Sequence, residues 1–407
     1  MDRLSALLGL PLARKGELGV EHTAAEIAQQ PKTWPGTLAL CRERRAELRA
    51  FLAGQAGLPV LLAGAGSSDF IGRSLERLLE QRWHATVRAV ASTELLTGMD
   101  DWLRTDSGAL CISFSRSGDS SEGVAVIEEM RRRFPRVAHL LITCNAQGAM
   151  AKLTQQHPQS YALVLDPATN DRGLAMTSSF SNLVVAGQAL AYLDDLDGYG
   201  DGYGAILEQL AASAESLLPR AADAAAKLAK SGFTRVCFLG SGALKATAAE
   251  SALKVQELTA GRIFTMSQSF LGLRHGPLSF LDSQTLVVAY LASDAGTRSY
   301  ESDLLRELRE KQLGVTIAAT GFALTPEIRE MAQVALELAP ENRSGRHTPP
   351  DALRPPLDVI FGQLLGLFCS LEAGLKPDTP SPSGAISRVV SHVKIHPSAA
   401  HPVVELQ

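Results

Sequence analysis

Long apolar runs are missing from this chain of 407 residues: no stretch approaches the roughly 18 apolar residues that a membrane-spanning helix needs. Charge of one sign is missing too. At a net charge of −4 there is no basic excess to hold nucleic acid or an anionic membrane, so an anionic ligand must be met by local positive charge. Cysteine is sparse. Cys41, Cys111, Cys144, Cys237 and Cys369 are scattered, several of them in apolar strand-like runs. Their spacing argues against a disulfide framework or a CxxC metal site and predicts reduced core residues of a cytoplasmic protein. The start, MDRLSALLGLPLARKGELG, shows no basic leader or small-residue cleavage site. Neither a Walker A loop nor a complete dinucleotide fingerprint occurs, the nearest approach being GxGxxD over Gly64–Asp69.

What is present is concentrated first in LCISFSRSGDSSEG, Leu110 to Gly123. Leu110, Cys111, Ile112 and Phe114 predict a buried strand, and Val124, Val126, Ile127 and Met130 continue as a helix. Between them lie Ser115, Arg116, Ser117, Gly118, Asp119, Ser120 and Ser121. Unpaired N–H groups at a helix start favour an anion, serines add donors without bulk, and Gly118 lets the backbone close on a ligand. The loop reads either as a phosphate seat or as an ordinary N-capping turn.

The length allows two or three domains, and the order of elements repeats. Pro59–Leu79 reads strand, glycine turn, helix, with Gly64, Gly66, Ser67 and Ser68 at the turn. Strand-like runs follow at Thr86–Val90, Ala138–Cys144 and Tyr161–Leu165. RVCFLGSG, Arg235 to Gly242, returns about 176 residues later, with LVVAY and VTIAATG at the same offset from their first-copy counterparts. We expect an α/β protein of two tandem units, each a parallel sheet flanked by helices in a flavodoxin-like three-layer sandwich. The predicted divisions are a helical arm over 1–50, broken or kinked near Pro31 and Pro35 before a helix over Cys41–Ala53; a first unit over 51–215; a second over 216–370; and a tail over 371–407. The junction is expected in the loop Asp194–Gly204. Because the second copy carries LASDAGTRSYES where the first carries the serine loop, one phosphate site per chain is expected, in the first unit.

A second concentration of chemistry follows the second glycine turn. Thr247, Glu250, Lys254 and Glu257 share one helical stripe, which reads either as a solvated salt-bridge face or as acid/base machinery. His275 then sits in the turn LRHGP beside Arg274, placed as a packed or surface residue or as an acid/base group. His392, His396 and His401 are close together in the tail, but no cysteine accompanies them and a metal is not expected.

In combination, EIAQQP, AGAGSS, SRSGDSSE, ESALKVQEL, LRHGP and the closing tail resemble the sugar isomerase (SIS) domain family, in its tandem form that acts on amino-sugar phosphates. They are similar to the isomerase half of glucosamine-6-phosphate synthase. DRGLAMTSSFSNL and LGLRHGPLSF are closer to the AgaS-type galactosamine-6-phosphate deaminase/isomerase family, also labelled tagatose-6-phosphate ketose/aldose isomerase. The resemblance implies that Ser115, Arg116, Ser117 and Ser120 grip a sugar phosphate, with Ser68 and Thr177, Ser178 and Ser179 lining the pocket. It implies Glu257 as the base between C1 and C2, Lys254 as the stabiliser of developing negative charge, and His275 as the ring-opening group. In the synthase that histidine comes from the neighbouring subunit, which implies a homodimer with shared sites; pairing into tetramers stays open.

There is no glutaminase half and no N-terminal nucleophilic cysteine, so releasing ammonia is more plausible than adding it. The synthase's tail lysine is replaced by Ser391 or, with a small shift, Lys394. The expected reaction is deaminating isomerisation of galactosamine 6-phosphate to tagatose 6-phosphate, without cofactor or metal. A non-deaminating aldose/ketose isomerase, a deglycase and a sugar-phosphate sensor are the alternatives. The configuration at C4 is not written in any motif.

Overall fold

The computed structural model describes residues 1–197, 202–339, 348–391 and 393–396. Among them are two five-stranded sheets, parallel at every pairing. In the first, β1 (Val60–Gly64), β2 (Val87–Ala91), β3 (Ala109–Ser115), β4 (Val137–Thr143) and β5 (Ser160–Val164) lie in the order β2-β1-β3-β4-β5. In the second, β6 (Arg235–Gly240), β7 (Phe264–Gln268), β8 (Thr285–Tyr290), β9 (Thr316–Gly321) and β10 (Val334–Glu337) lie in the order β10-β9-β8-β6-β7, which is the same winding. Every residue of β1, β3, β4 and β8 is buried, as parallel strands covered on both faces require. The register sets Ala63 beside Ser113 and Ser115 beside Thr143, so the glycine turn and the serine loop emerge side by side.

The repeat extends to backbone conformation. Gly66 has φ 57° and ψ −125°, and Gly242, at the same offset as the strands, has φ 57° and ψ −129°. Residues with a Cβ rarely adopt that region. Each glycine turns a strand directly into a helix, Ser67–Trp83 in the first unit and Ala243–Leu258 in the second.

The inner faces of the two sheets share one core. Leu62, Ile112 and Leu140 belong to the same apolar cluster as Val236, Leu286 and Val288, together with the helices Tyr203–Ala229 and Pro355–Glu372. The outer faces keep separate cores. Pro355–Glu372 is buried from Pro355 to Ser370 and packs on Ala243–Leu258, which in turn packs on Ser67–Trp83. This contact places the second unit's Glu/Lys helix beside the first unit's glycine turn.

Three boundaries differ from the sequence reading. The proline-bearing segment is not broken: one helix runs Thr23–Glu43 through Pro31 and Pro35, and the next starts at Arg45 rather than Cys41. Pro31 removes the usual donor to the Ile27 carbonyl, and the Gln30 side chain replaces it, Nε2 donating to Ile27 O at 3.0 Å. Burial of Ile27, Trp34, Leu38 and Cys41 then rewards the continuous helix. A boundary at 215 falls inside Tyr203–Ala229, and one at 370 inside Pro355–Glu372. The helix begins at Tyr203, within the loop expected over Asp194–Gly204, and residues 198–201 lie outside the described residues. The arm is tied to the tail by Asp378, whose carboxylate accepts from the Thr23 N–H at 2.7 Å and the His22 N–H at 3.1 Å, capping the helix start.

Candidate active site

A cavity of about 140 Å³ lies at the carboxyl ends of β1 and β3. Neighbouring connections diverge there, β2 lying on one side of β1 and β4 beyond β3, the place where open parallel sheets receive ligands. Its wall includes Ser68, the serine loop's Ser115, Arg116, Ser117 and Ser120, and the tail's Arg388, Val389 and Val390.

The loop is tightly built. Ser115 Oγ accepts from the Gly118 N–H at 2.9 Å, and Asp119 Oδ1 from the Ala149 N–H at 2.8 Å. Gly118, at φ 67°, lies against Gly148, where a Cβ would stand 2.6 Å from the Ser117 carbonyl oxygen. The loop's close approach to the next turn therefore needs glycine on both sides. Ser120 is the N-cap of the helix Ser121–Arg133, yet its hydroxyl makes no cap hydrogen bond. That hydroxyl borders the cavity at the helix's positive end, where an anion is favoured.

Of the residues implied as phosphate or pocket contacts, Arg116, Ser178 and Ser179 have other side-chain partners here, while the buried Thr177 hydroxyl has none among the described residues. The Arg116 guanidinium donates to the carbonyls of Gly173 (3.2 Å), Leu174 (3.0 Å) and Arg388 (2.6 Å). Burial lowers its pKa, Arg388 adds to the effect, and Asp171 and Glu257 oppose it. Thr177, Ser178 and Ser179 are fully buried at the start of the helix Ser178–Ala191 and are not on the cavity wall. Asp171 Oδ2 accepts from the N–H groups of Thr177 (2.7 Å) and Ser179 (2.8 Å) and from the Ser179 hydroxyl. The Asp171 carboxylate thus caps that helix, and the neighbouring Met176 reaches the cavity instead.

The Glu/Lys stripe is not a solvated face. Lys254 and Glu250 are fully buried, and the Glu257 side chain is 24% exposed. Lys254 Nζ stands 2.6 Å from Glu257 Oε2, 3.3 Å from Glu250 Oε1 and 2.9 Å from Ser67 Oγ. Glu257 and Ser67 accept hydrogen bonds from it and Glu250 adds an ion pair, and one of the acceptors comes from the first unit, next to Ser68 of the cavity wall. Burial pushes Glu250 up to about 7 against the pull of Lys254. Burial also works to lower Lys254, but Glu250 and Glu257 outweigh it and hold the ammonium above the ordinary lysine range. The arrangement offers a partly exposed carboxylate at Glu257, oriented by the buried Lys254.

A SIS domain model matches residues 57–193. A Streptomyces coelicolor protein provisionally named D-galactosamine-6-phosphate deaminase AgaS is 37% identical, over 92% of this chain and 95% of its own length. An Escherichia coli D-galactosamine-6-phosphate deaminase AgaS is 35% identical, over 92% and 95%. The chain belongs to the AgaS family of SIS-domain proteins. The crystal structure of an Escherichia coli tagatose-6-phosphate ketose/aldose isomerase superposes with a TM-score of 0.82 at 33% identity, covering 92% of this chain and 96% of that one. The two tandem α/β units described above are therefore SIS units.

Other residues expected from the AgaS resemblance lie apart from the cavity. His275 is exposed, in the turn between the short helix Phe270–Leu273 and Gly276, whose φ is 106°. Arg274 Nε anchors that turn to Glu307 at 2.6 Å. Ser391 and Lys394 are exposed and not on the wall, while His392 and His401 lie outside the described residues. Ser67, Glu250 and Arg388 were not singled out from sequence. Glu250 carried a signal, being on the stripe, but Ser67 and Arg388 act through partners far away in the chain.

The second unit's counterpart of the serine loop is filled by the chain's own carboxylates. The Ala292 N–H donates to Glu301 Oε2 at 2.8 Å and the Ser293 N–H to Asp351 at 2.9 Å; these positions correspond to Arg116 and Ser117 of the AgaS cavity. Burial raises Glu301 to about 7, and hydrogen bonds from Ser241 and Ala292 only partly offset it. The folded state therefore binds more protons than the unfolded one between about pH 4.5 and 7, and this contribution to stability fades as pH rises through that window. Glu301→Gln keeps the hydrogen bonds and removes the proton. Thermal melts from pH 5 to 8 are expected to show a shallower fall for the variant, by up to about 1.4 kcal/mol per pH unit; parallel curves would contradict it.

Proposed function

We propose that this protein converts galactosamine 6-phosphate and water into tagatose 6-phosphate and ammonia. The observation that carries the reading is the hydrogen bond from Lys254 to Ser67, which sets the Glu250–Lys254–Glu257 group behind the cavity wall, one residue from Ser68 on that wall. Ser115, Ser117 and Ser120 hold the phosphate at the helix start, remote from the reacting carbons, and this supplies orientation. Ser68 meets the sugar's other end.

Ring opening needs a proton on the ring oxygen and a base for the anomeric hydroxyl, and His275 serves both. Glu257 then removes the proton from C2 of the open 2-amino aldose, giving an enaminol, and returns it to C1. The product is a C2 ketimine. Water adds at C2, the nitrogen takes a proton, and ammonia leaves the ketose. Lys254 acts through Glu257: bonded to it and to Ser67, and paired with Glu250, it keeps that carboxylate aimed.

Since His275 is exposed and apart from its own chain's cavity, a symmetric homodimer that supplies it to the neighbouring site completes the set. The five cysteines are all free and buried, which supports a reducing compartment such as the cytoplasm; no described helix is long and apolar enough to cross a membrane. The likeness to the Escherichia coli tagatose-6-phosphate ketose/aldose isomerase supports one second reading, aldose/ketose isomerisation without loss of nitrogen.

The deciding measurement is ammonia release from galactosamine 6-phosphate, with glucosamine 6-phosphate in parallel. Stoichiometric ammonia and tagatose 6-phosphate from the galacto sugar is the expected result. Ketose formation from an aldose 6-phosphate with no ammonia from either amino sugar would replace it by the plain isomerase.

A further inference from the structure

The tail does more than cross the cavity. Val389 and Val390 border it, and the Val390 carbonyl accepts the Ser121 N–H at 3.2 Å, at the first turn of the serine-loop helix. Upstream, Arg388 is bonded at both ends. Its backbone carbonyl accepts Arg116 Nη2 at 2.6 Å, and its own guanidinium donates to the Asp171 carbonyl, Nε at 2.8 Å, and to Asn170 Oδ1, Nη2 at 2.6 Å. Arg116 meanwhile holds the carbonyls of Gly173 and Leu174. Two arginines thus clasp three segments: the serine loop, residues 170–174 and the tail.

This clasp is made of charged donors on neutral acceptors. Among the described residues neither Arg116 nor Arg388 is in a salt bridge, and each guanidinium is bonded only to carbonyl oxygens or the Asn170 side chain. Both positive charges therefore stand at the cavity wall without a direct ion pair, Asp171 and Glu257 acting on Arg116 from farther off, and they favour the dianionic phosphate proposed there. Arg388 also borders a second, larger cavity of about 660 Å³ lined by Glu21, His22, Glu26 and Arg172. It is the residue common to the walls of the two cavities.

We propose that Arg388 is the latch of the sugar-phosphate cavity: fastened on Asn170 and Asp171 it holds the tail across the bound ligand, and released it opens the cavity into the larger one beside it. Arg388 is a positioning residue, and the inference rests on the sugar-phosphate reading of the cavity. Ligand charge and latch reinforce one another. A bound phosphate favours the closed arrangement through the positive charge that it keeps at the cavity wall, and the closed tail slows the ligand's escape.

The test compares wild type with Arg388→Ala, Arg388→Lys and Asn170→Ala, measuring kcat and KM for galactosamine 6-phosphate and calorimetric Kd values for tagatose 6-phosphate and inorganic phosphate. Loss of these charge-assisted bonds is expected to raise KM and both Kd values about tenfold or more in Arg388→Ala, with kcat changed far less. Arg388→Lys retains the charge and recovers part of the affinity, and Asn170→Ala shows a smaller rise of the same kind. Amide exchange of the tail peptide supplies the readout that a purely structural role would not move: ligand slows exchange in wild type and leaves it unchanged in Arg388→Ala. Unchanged KM and Kd in a folded Arg388→Ala, or equal ligand protection of its tail, would overturn the latch while leaving ammonia release intact. If wild type releases no ammonia but phosphate binding still weakens about tenfold in Arg388→Ala, the latch stands and the reaction assignment fails.

Discussion

Glu257→Gln is expected to lower ammonia release by at least about 10³-fold while tagatose 6-phosphate still binds with near-normal affinity, because the amide cannot accept the C2 proton. The change is suited to the site. A glutamine carbonyl can still accept from Lys254 Nζ, and Glu250, 3.3 Å away, remains to offset the buried ammonium. The variant should therefore fold, whereas removing Lys254 would strand a buried carboxylate. Binding and chemistry are read separately: calorimetry reports the phosphate seat, and wash-out of deuterium from C2 of the substrate reports the proton transfer. Turnover within about tenfold of wild type would remove Glu257 from the role of base.

The second large effect is a gain. Glu257→Gln and His275→Ala are each expected to be nearly inactive alone, yet a mixture allowed to exchange subunits should recover about a quarter of wild-type activity. In a symmetric dimer that shares its sites, half the dimers formed at random are mixed, and one of their two sites combines an intact Glu257 with an intact His275 from the other chain. His275 is exposed, and its turn is held by its own backbone N–H on the Gly272 carbonyl and by Arg274 on Glu307, so substitution of its side chain should leave the fold of each chain unchanged. No recovery, with exchange of subunits verified by labelled chains, would mean that His275 serves its own chain's site or none.

The contrast between the two units explains why the chemistry is asymmetric. Where the first unit leaves its loop open to a cavity, the second uses Glu301 and Asp351 on the corresponding N–H groups. An internal carboxylate there satisfies the same donors that would otherwise attract an external anion. The second unit contributes its helix instead.

Much of this was open to reading along the chain. The strands, glycine turns and serine loop are contiguous patterns, and the repeat of about 176 residues made their common winding legible before any coordinates. Backbone conformation at Gly66 and Gly242 follows from what only glycine can do, so the turn type travels with the residue. The Glu250, Lys254 and Glu257 stripe was likewise visible as a stripe. Whether it faced water or the interior was not visible, because that depends on Pro355–Glu372 and Ser67–Trp83 packing against it from opposite directions in the chain.

Tertiary structure alone decided where the donors are used. Arg116 stands inside the serine loop, yet its guanidinium turns to Gly173, Leu174 and Arg388. Thr177 and Ser179 have the composition of a ligand pocket, but Asp171 claims their N–H groups. Ser67 gains its meaning from a lysine 187 positions away. Sequence determined which groups exist and what local backbone carries them, since those follow from short-range sterics and periodicity. Partner choice was settled by burial, because a polar group removed from water must bond to whatever acceptor the fold brings within reach.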